Sequence, residues 1–238
     1  MKIALIGFGK MGKAIEELAI SRDHTIVTKI SSQNTLENAD FSDVDVAIEF
    51  TRPELAVQHI HFCFEKNIPI VVGTTAWQDK IEEVTELALI KNGSLLYSSN
   101  FSVGVNIFFE LNKKLASLMS GKDDYRIELE EIHHVQKLDA PSGTAVTLAN
   151  DIISFHEGLD NWQLMDVTEN INRTIPVLAK RQPDVPGTHQ ISYISDIDSI
   201  TIKHVANNRK GFALGAVIAA EFLYKKSGIF TMSDVLKF

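Results

Sequence analysis

The sequence has one cysteine and no long apolar run, and both absences narrow the class of protein. A single thiol, Cys63, cannot form a disulfide within the chain, which favours a reducing compartment. Cys63 stands among apolar residues, so we expect a buried structural thiol and not a nucleophile. No apolar run approaches the ~18 residues that a membrane span needs. A glycine at position 7 comes too early for the apolar core of a signal peptide. We therefore expect a cytoplasmic protein that does not enter a membrane.

Basic residues are scarce as well. The chain carries 23 Lys and Arg against 31 Asp and Glu, a formal charge of -8, which argues against a nucleic-acid partner. A small basic pocket for an anionic substrate stays compatible with this balance, because net charge says little about a local site. With 238 residues, 45% of them hydrophobic, the chain is long enough for one large domain or two modest ones.

The first hundred residues alternate between short apolar runs and segments with helical spacing. Strands separated by helices of this length predict right-handed crossovers and a parallel sheet covered on both faces. The sequence therefore predicts a Rossmann-type α/β domain over residues 1–100, completed by a last helix and tail at about 207–238. The predicted strands are 2–6, 24–30, 44–50, 68–72 and 94–98, and the predicted helices are 13–21, 54–66 and 78–91.

After Asn100 the pattern changes. Helices are expected at 105–119 and 144–155, and strands at 126–132, 189–195 and 199–204. Residues 156–186 are rich in loops, and the pattern leaves their strand content open. Strands that follow one another directly predict a smaller α+β domain with a mixed or antiparallel sheet over 101–206. We expect this domain to bind the substrate and to support oligomerisation.

A glycine-rich motif follows the first predicted strand. Residues 7–12, with Gly7, Gly9 and Gly12, match G-x-G-x-x-G between a strand and a helix. Gly7 would allow the tight turn, Gly9 the approach of a pyrophosphate, and Gly12 close packing of helix on strand. The motif predicts a dinucleotide site, and the alternative is a glycine turn without a ligand.

The end of the second predicted strand lacks the carboxylate that usually binds the ribose 2'-hydroxyl. Residues 27–32 include no acid, and Lys10, Ser31 and Ser32 are placed to contact a 2'-phosphate. We predict that NADPH is used at least as well as NADH. Alternatively, Lys29 and the two serines form only a solvated strand end.

Residues 131–145 are dense in groups that are costly to bury without purpose. Either Asp139 or Ser142 can cap the following helix, with Pro141 in its first turn. The backbone amides of Gly143 and Thr144 would then form an anion site. Two further donors, Lys137 and His134, would suit a second carboxylate of the same substrate.

The adjacent His133 and His134 leave a strand end on opposite sides, so one can enter a cleft while the other supports it. Histidine suits proton transfer near neutral pH. A metal site is not predicted, because adjacent histidines do not easily bind one ion and no third ligand stands at useful spacing.

At this point the sequence closely resembles the dihydrodipicolinate reductase family. Residues 131–145 meet the hallmark E-x-H-H-x-x-K-x-D-A-P-S-G-T-A in full. Shorter segments match in order at 73–75, 98–106 and 230–236, and 49–53 matches D-F-T-x-P with Glu49 in place of Asp. The resemblance implies an NAD(P)H-dependent reductase of a small cyclic dicarboxylate in lysine and diaminopimelate biosynthesis. Family members are usually homotetramers.

The resemblance also implies residue roles. His133 would be the acid/base residue and Lys137 the proton donor. The substrate would be held by His134, Gly143 and Thr144, with Ser142 and Thr75 nearby. The cofactor would contact Gly7, Phe8, Gly9, Lys10, Met11, Gly12, Gly73, Thr74, Thr75, Ser98, Ser99, Asn100 and Phe101.

Two segments complicate the resemblance. The family's R-G-G-D-x-x-G-x-H reads R-Q-P-D-V-P-G-T-H at 181–189, and the Gln and Pro changes stiffen that loop. Arg209 stands where the family often has an arginine, or is simply surface charge. Two rival functions also remain: a Rossmann reductase for another amino or imino acid, and a cofactor-binding sensor without catalysis. Intact His133 and Lys137 argue against the sensor.

Overall fold

A computed structural model describes residues 1–166, 172–208 and 210–238. They form two compact units, one comprising Met1–Val103 with Lys210–Phe238 and the other Gly104–Arg209. Strands and helices are numbered along the whole chain.

The first unit is built on a six-stranded, fully parallel sheet in the order β11-β5-β4-β3-β1-β2. Each strand is short because buried parallel strands need only a few apolar residues. The strands are β1 (Lys2–Ile6), β2 (Thr25–Ile30), β3 (Val46–Glu49), β4 (Ile70–Val72), β5 (Ser94–Tyr97) and β11 (Gly228–Phe230).

Alternating strand residues build a core on each face of this sheet. One face packs against α2 (Pro53–Glu65) and α3 (Ile81–Lys91). The other packs against α1 (Lys10–Ser21) and α6 (Lys210–Leu223), followed by the short α7 (Met232–Leu236). Cys63 lies fully buried in the first of these cores, and burial raises the pKa of its thiol, as expected of a structural residue. The predicted parallel sheet covered on both faces is confirmed.

The sixth strand was not predicted. Strand β11 pairs with β5 through only three residues, Gly228 to Phe230, and a run that short carries no readable pattern. None of the described helices combines the length and apolarity needed to cross a bilayer.

The second unit contains a five-stranded mixed sheet in the order β10-β9-β6-β8-β7. Its strands are β6 (Arg126–His133), β7 (Asn161–Met165), β8 (Thr174–Arg181), β9 (Gly187–Ile194) and β10 (Ser199–Ala206). One core joins the sheet to α4 (Val103–Met119) and α5 (Gly143–Phe155). The predicted class, a Rossmann-type domain plus an α+β domain with a mixed sheet, is therefore confirmed.

Strands β7 and β8 lie in residues 156–186, where the sequence pattern leaves the strand content open. Pro176 obscured β8, because proline cannot donate to a neighbouring strand. The register explains why it is tolerated: β8 pairs with β6 only from Val177 onward, so Pro176 has β7 as its only neighbour. The segment thus forms a strand that sequence composition alone does not favour.

Packing of α6 predicts a strict requirement for glycine at position 215. A Cβ at Gly215 would lie 1.6 Å from the carbonyl oxygen of Phe101, so backbone would have to move. We expect Gly215→Ala to destabilise the protein by about 3 kcal/mol and to lower its thermal midpoint. On the same helix, a Cβ at Gly211 would meet only Ser102 Oγ at 3.6 Å, and Gly211→Ala should leave the midpoint unchanged or higher. Equal midpoints for the two variants would contradict this packing.

Candidate active site

The glycine-rich loop joins the C-terminal end of β1 to α1, at the switch point between β1 and β3, where the strand order reverses. Gly7 has φ +99, and its amide donates to the carbonyl of Ile30 at 3.1 Å. A Cβ on Gly7 would lie 2.1 Å from the carbonyl oxygen of Phe50, and one on Gly12 would lie 2.3 Å from that of Gly7. These positions exclude side chains, and in doubly wound sheets ligands bind at this switch point.

The helix begins at Lys10, three residues earlier than predicted, with Gly9 as its N-cap. Lys10, Met11 and Gly12 therefore lie in the first turn, whose amides have no partner within the helix and no capping side chain. A Cβ on Gly9 would meet no atom within 4 Å, so the space in front of these amides is open. An open first turn of this kind fits a pyrophosphate.

An apolar cleft of about 710 Å³ extends from this loop. Ser31 and Ser32 line it, as the prediction for a 2'-phosphate requires, whereas Lys10 is an exposed residue outside the lining. Two charged residues that the sequence did not single out also line the cleft, Glu37 and Arg52. Glu37 follows the strand end at a greater distance than the usual ribose carboxylate, which is why the motif did not identify it.

The loops after β3 and β4 are tied together by a buried carboxylate, Glu49. Its Oε1 accepts the hydroxyl of Thr51 and that of Thr74, the latter at 3.0 Å, and lies 3.4 Å from His59 Nδ1. Thr74 also accepts the amide of Thr51 at 2.8 Å. The glutamate that replaces the family's aspartate thus organises the loop Gly73 to Thr75.

The remaining predicted cofactor residues divide into anchors and exposed positions. Phe101 is buried, with its ring 5.8 Å from that of Phe50, and Ser98 Oγ donates to the Asn100 carbonyl at 2.8 Å. Phe8 is half-buried beneath the Lys29 ammonium, and Thr75 and Ser99 are exposed. Their roles as ligand contacts stay predictions.

In the second unit, β6 alternates strictly between exposed or half-buried and buried residues. Ile127, Leu129, Glu131 and His133 share the buried face, because alternate residues of a strand point to the same side. His134 follows the strand and is half-buried. The two histidines therefore leave the strand in different environments, and His133 is the one enclosed by the protein.

Ser142 and not Asp139 caps α5. Its Oγ accepts the amide of Ala145 at 3.2 Å, and the helix begins at Gly143. Pro141 precedes the cap, after a cis bond, and is not in the first turn as predicted. Gly143 is exposed and a Cβ on it would meet nothing within 4 Å, so the first-turn amides of Gly143 and Thr144 face open space.

Asp139 instead pairs with Lys137. Both carboxylate oxygens accept from Lys137 Nζ at 2.8 Å. Arg181 holds the same loop, because its guanidinium donates to the carbonyl of Asp139 at 2.7 Å and to that of Lys137 at 3.3 Å. The loop that carries the predicted proton donor is thus fixed by an arginine from β8. Arg209 lies outside the described residues.

Burial and hydrogen bonding move two pKa values in this cluster. Burial lowers the pKa of His133 to about 4, and the nearby Glu131 carboxylate offsets this only in part. For Glu131, burial alone would raise the pKa, but hydrogen bonds from His189 and Ser142 outweigh it and bring the pKa to about 2. At neutral pH the buried face therefore holds a neutral imidazole beside a carboxylate.

Glu131, His133 and His189 place one potential metal ligand each within 4.8 Å of one another. The sequence did not indicate His189 as a third potential ligand, because it lies 56 positions after His133 and only the pairing of β9 with β6 brings it close. Glu131, however, already accepts the Ser142 amide at 3.0 and 3.1 Å and lies 3.5 Å from Arg181 Nη1. Such a carboxylate suits a hydrogen-bonded network better than a cation, and the absence of a metal stays a prediction.

Three residues of this cluster were not among the predicted site residues: Glu131, Arg181 and His189. Each residue lies in the hallmark or in the altered 181–189 segment, but their spacing along the chain does not indicate that they are close in space. The strand register brings them together, because Glu131 lies opposite His189 and His133 lies opposite Arg181. Only the pairing of three strands brings these side chains together.

The first unit has a glycine-rich loop at the switch point of a parallel sheet, and the second has a histidine and a lysine close in sequence to an open helix N-terminus. Together these features are those of a nicotinamide-dependent oxidoreductase of the Rossmann class. Residues 1–101 match the family model for the N-terminus of dihydrodipicolinate reductase, and residues 104–236 match that for its C-terminus. The chain belongs to the dihydrodipicolinate reductase family.

Relatives match over the whole chain. The 4-hydroxy-tetrahydrodipicolinate reductase of Christiangramia forsetii is 51% identical, over 99% of this chain and 98% of the relative. That of Thermosipho africanus is 35% identical, over 100% and 98%. A dipicolinate-bound dihydrodipicolinate reductase from Paenisporosarcina sp. TG-14 shares the fold, with a TM-score of 0.74, 23% identity and 97% coverage of each chain.

The lowered pKa of His133 gives a prediction for the free protein. We expect its imidazole to titrate near pH 4 in NMR spectra, below the ordinary value of about 6.5. His133→Gln assigns the resonance among the 8 histidines. The group's contribution to stability should be complete above about pH 6.5 and lost as the pH falls through about 4. A midpoint near 6.5 would contradict the enclosure of His133.

Proposed function

We propose that this chain reduces 4-hydroxy-tetrahydrodipicolinate to tetrahydrodipicolinate with NAD(P)H, in the biosynthesis of lysine and diaminopimelate. The observation that carries the proposal is the arrangement of residues 131–145, where His133 ends β6, Lys137 lies in the loop that follows, and the open first turn of α5 comes next. That loop stands in a chain 51% identical, over its full length, to a reductase of this name.

The chemistry requires donors for two carboxylates and a source of protons. Net replacement of the 4-hydroxyl by hydrogen consumes one hydride and one proton and releases water. Bound NAD(P)H supplies the hydride. The amides of Gly143 and Thr144 bind one carboxylate, and His134 with Ser142 supports the dianion. Lys137 delivers the proton to the ring, as its ammonium is held at 2.8 Å from Asp139 until substrate arrives.

His133 serves as the acid/base residue under this proposal. In the free protein its lowered pKa leaves the imidazole neutral at pH 7, so it can accept a proton. A bound dicarboxylate brings negative charge close to it and raises the pKa toward neutrality. Binding of the substrate thereby brings His133 into the pH range where it can release a proton as well as accept one.

The first unit provides the dinucleotide site and the second unit the substrate site. The cleft beside the glycine-rich loop holds opposite charges for the nucleotide: Arg52 attracts a 2'-phosphate, whereas Glu37 suits ribose hydroxyls. A hydrogen bond from Thr35 holds the pKa of Glu37 below its usual range, so this carboxylate is charged at neutral pH. With both residues present, NADPH is used at least as well as NADH.

We expect a homotetramer in the cytoplasm, with the second unit forming the contacts between copies. Sedimentation equilibrium of the purified protein measures the number of copies directly. A rival substrate, another small imino acid, is separated from the proposed one by comparing their turnover.

Turnover is the direct test. Purified protein should oxidise NADPH and NADH in the presence of substrate freshly generated by the preceding synthase. A His133→Ala/Lys137→Ala double variant should lose turnover by about 1,000-fold or more, because it lacks both proton-transfer groups. Its affinity for NADPH should stay unchanged, since the dinucleotide site lies in the other unit. Bound cofactor without turnover in the unaltered protein would overturn the proposal.

Nucleotide preference is tested by two substitutions in one cleft. Arg52→Ala should raise KM for NADPH roughly tenfold and leave that for NADH nearly unchanged, because a charged hydrogen bond to the 2'-phosphate is lost. Glu37→Ala should act in the opposite sense, weakening NADH and sparing NADPH. Leu55, which lines the same cleft without charge, gives the control Leu55→Met. A kcat/KM that strongly favours NADH in the unaltered protein would contradict the predicted preference.

A further inference from the structure

Glu131 is the most enclosed charged residue near the proposed substrate site. Its side chain has no exposure, and it lies on β6, the central strand of the five-stranded sheet. The pairing with β9 sets His189 directly opposite it, and the pairing with β8 sets Arg181 opposite His133. One cross-strand layer thus gathers these groups around a single carboxylate.

The carboxylate holds the start of α5 in place. Both of its oxygens accept the amide of Ser142, at 3.0 and 3.1 Å. The hydroxyl of the same serine lies 3.1 Å from His189 Nε2, which is itself 3.6 Å from Glu131 Oε2. Because Ser142 caps the helix, these contacts decide where the amides of Gly143 and Thr144 point.

The same carboxylate also anchors the loop of Lys137. Arg181 Nη1 lies 3.5 Å from Glu131 Oε1, and the rest of its guanidinium binds the carbonyls of Lys137 and Asp139. His133 lies beside the same carboxylate, with its Nδ1 3.4 Å from Glu131 Oε2, although no hydrogen bond joins the two atoms. The start of α5, the Lys137 loop and His133 therefore all lie next to one carboxylate.

We propose that Glu131 is a positioning residue: without touching substrate, its buried carboxylate sets His133, the Lys137 loop and the first-turn amides of α5 in register with one another. This rests on the proposed function for the identity of the reaction, but the contacts themselves do not. Proximity explains the expected size of the effect, because a displacement of about 1 Å in a reacting group costs about 100-fold in rate.

Glu131→Gln is the main variant, since it keeps the shape and replaces one accepting oxygen with a donor that faces other donors. Glu130→Gln is its matched control, one residue along the same strand, where the carboxylate faces away and pairs with Lys180. Glu131→Asp keeps the charge and withdraws it by one methylene, and it serves if the glutamine variant does not fold.

We expect Glu131→Gln to lower kcat by about 100-fold and to weaken dipicolinate binding in calorimetry by about tenfold. KM for NADPH should stay at the value of the unaltered protein. Glu131→Asp should recover part of kcat, and Glu130→Gln should match the unaltered protein. Hydrogen exchange of the Ser142 amide should accelerate in Glu131→Gln and stay unchanged in Glu130→Gln.

Equal kcat in Glu131→Gln and Glu130→Gln would overturn the positioning role. A kcat of Glu131→Asp equal to that of the unaltered protein would also overturn it, because the shorter side chain withdraws the carboxylate from its partners. A loss of thermal stability with kcat and dipicolinate affinity intact would reduce Glu131 to a structural residue and overturn it too. Failure of the proposed function looks different: the unaltered protein would not turn over, while dipicolinate binding and Ser142 exchange would still report on Glu131.

Discussion

A carboxylate removed from water must be met by donors on every side, and that requirement organises the second unit around Glu131. An unpaired buried charge costs several kcal/mol, so the strands flanking β6 have to deliver Arg181 and His189 at fixed positions. Their delivery depends on register alone, because a slip of one residue would turn each side chain to the opposite face. The loop between β6 and α5 is then positioned by its contacts with the sheet.

The first unit solves a related problem with a different carboxylate. Glu49 ends β3 fully buried, and its oxygen joins Thr51 to Thr74 across the neighbouring strand. The extra methylene relative to aspartate lets the carboxylate reach Thr74 and His59 together, at 3.0 and 3.4 Å. In both units, then, loops at strand ends are positioned by an acid that contacts no solvent.

Local patterns carried much of this structure. The glycines at 7, 9 and 12, between a strand and a helix, predict the dinucleotide loop, and the alternation of strands and helices predicts the fold class. The strand pattern likewise predicts that His133 and His134 face opposite sides, but it does not decide which of them faces inward. Sequence patterns did not predict the elements that depend on strand pairing. Pro176 argued against a strand at β8, and the three residues of β11 were too few to show a pattern. Glu37, which lines the cleft, lies beyond the strand end where a ribose carboxylate was expected. The partners of Glu131 stand 50 and 58 residues away along the chain, a distance that no spacing rule spans.

The segment 181–189, between β8 and β9, departs from the family's motif while its two ends contact Glu131. Its ends, Arg181 and His189, lie 3.5 and 3.6 Å from Glu131, and the amide of Gln182 donates to the carbonyl of His133 at 2.8 Å. Gly187 remains glycine, where a Cβ would lie 3.1 Å from His133 Nε2. The substituted Pro183 lies in the turn between these anchors, where a rigid ring removes freedom chiefly from the unfolded chain. Stiffness there is therefore compatible with an intact site, because the geometry of the site is set by strand pairing and not by the turn.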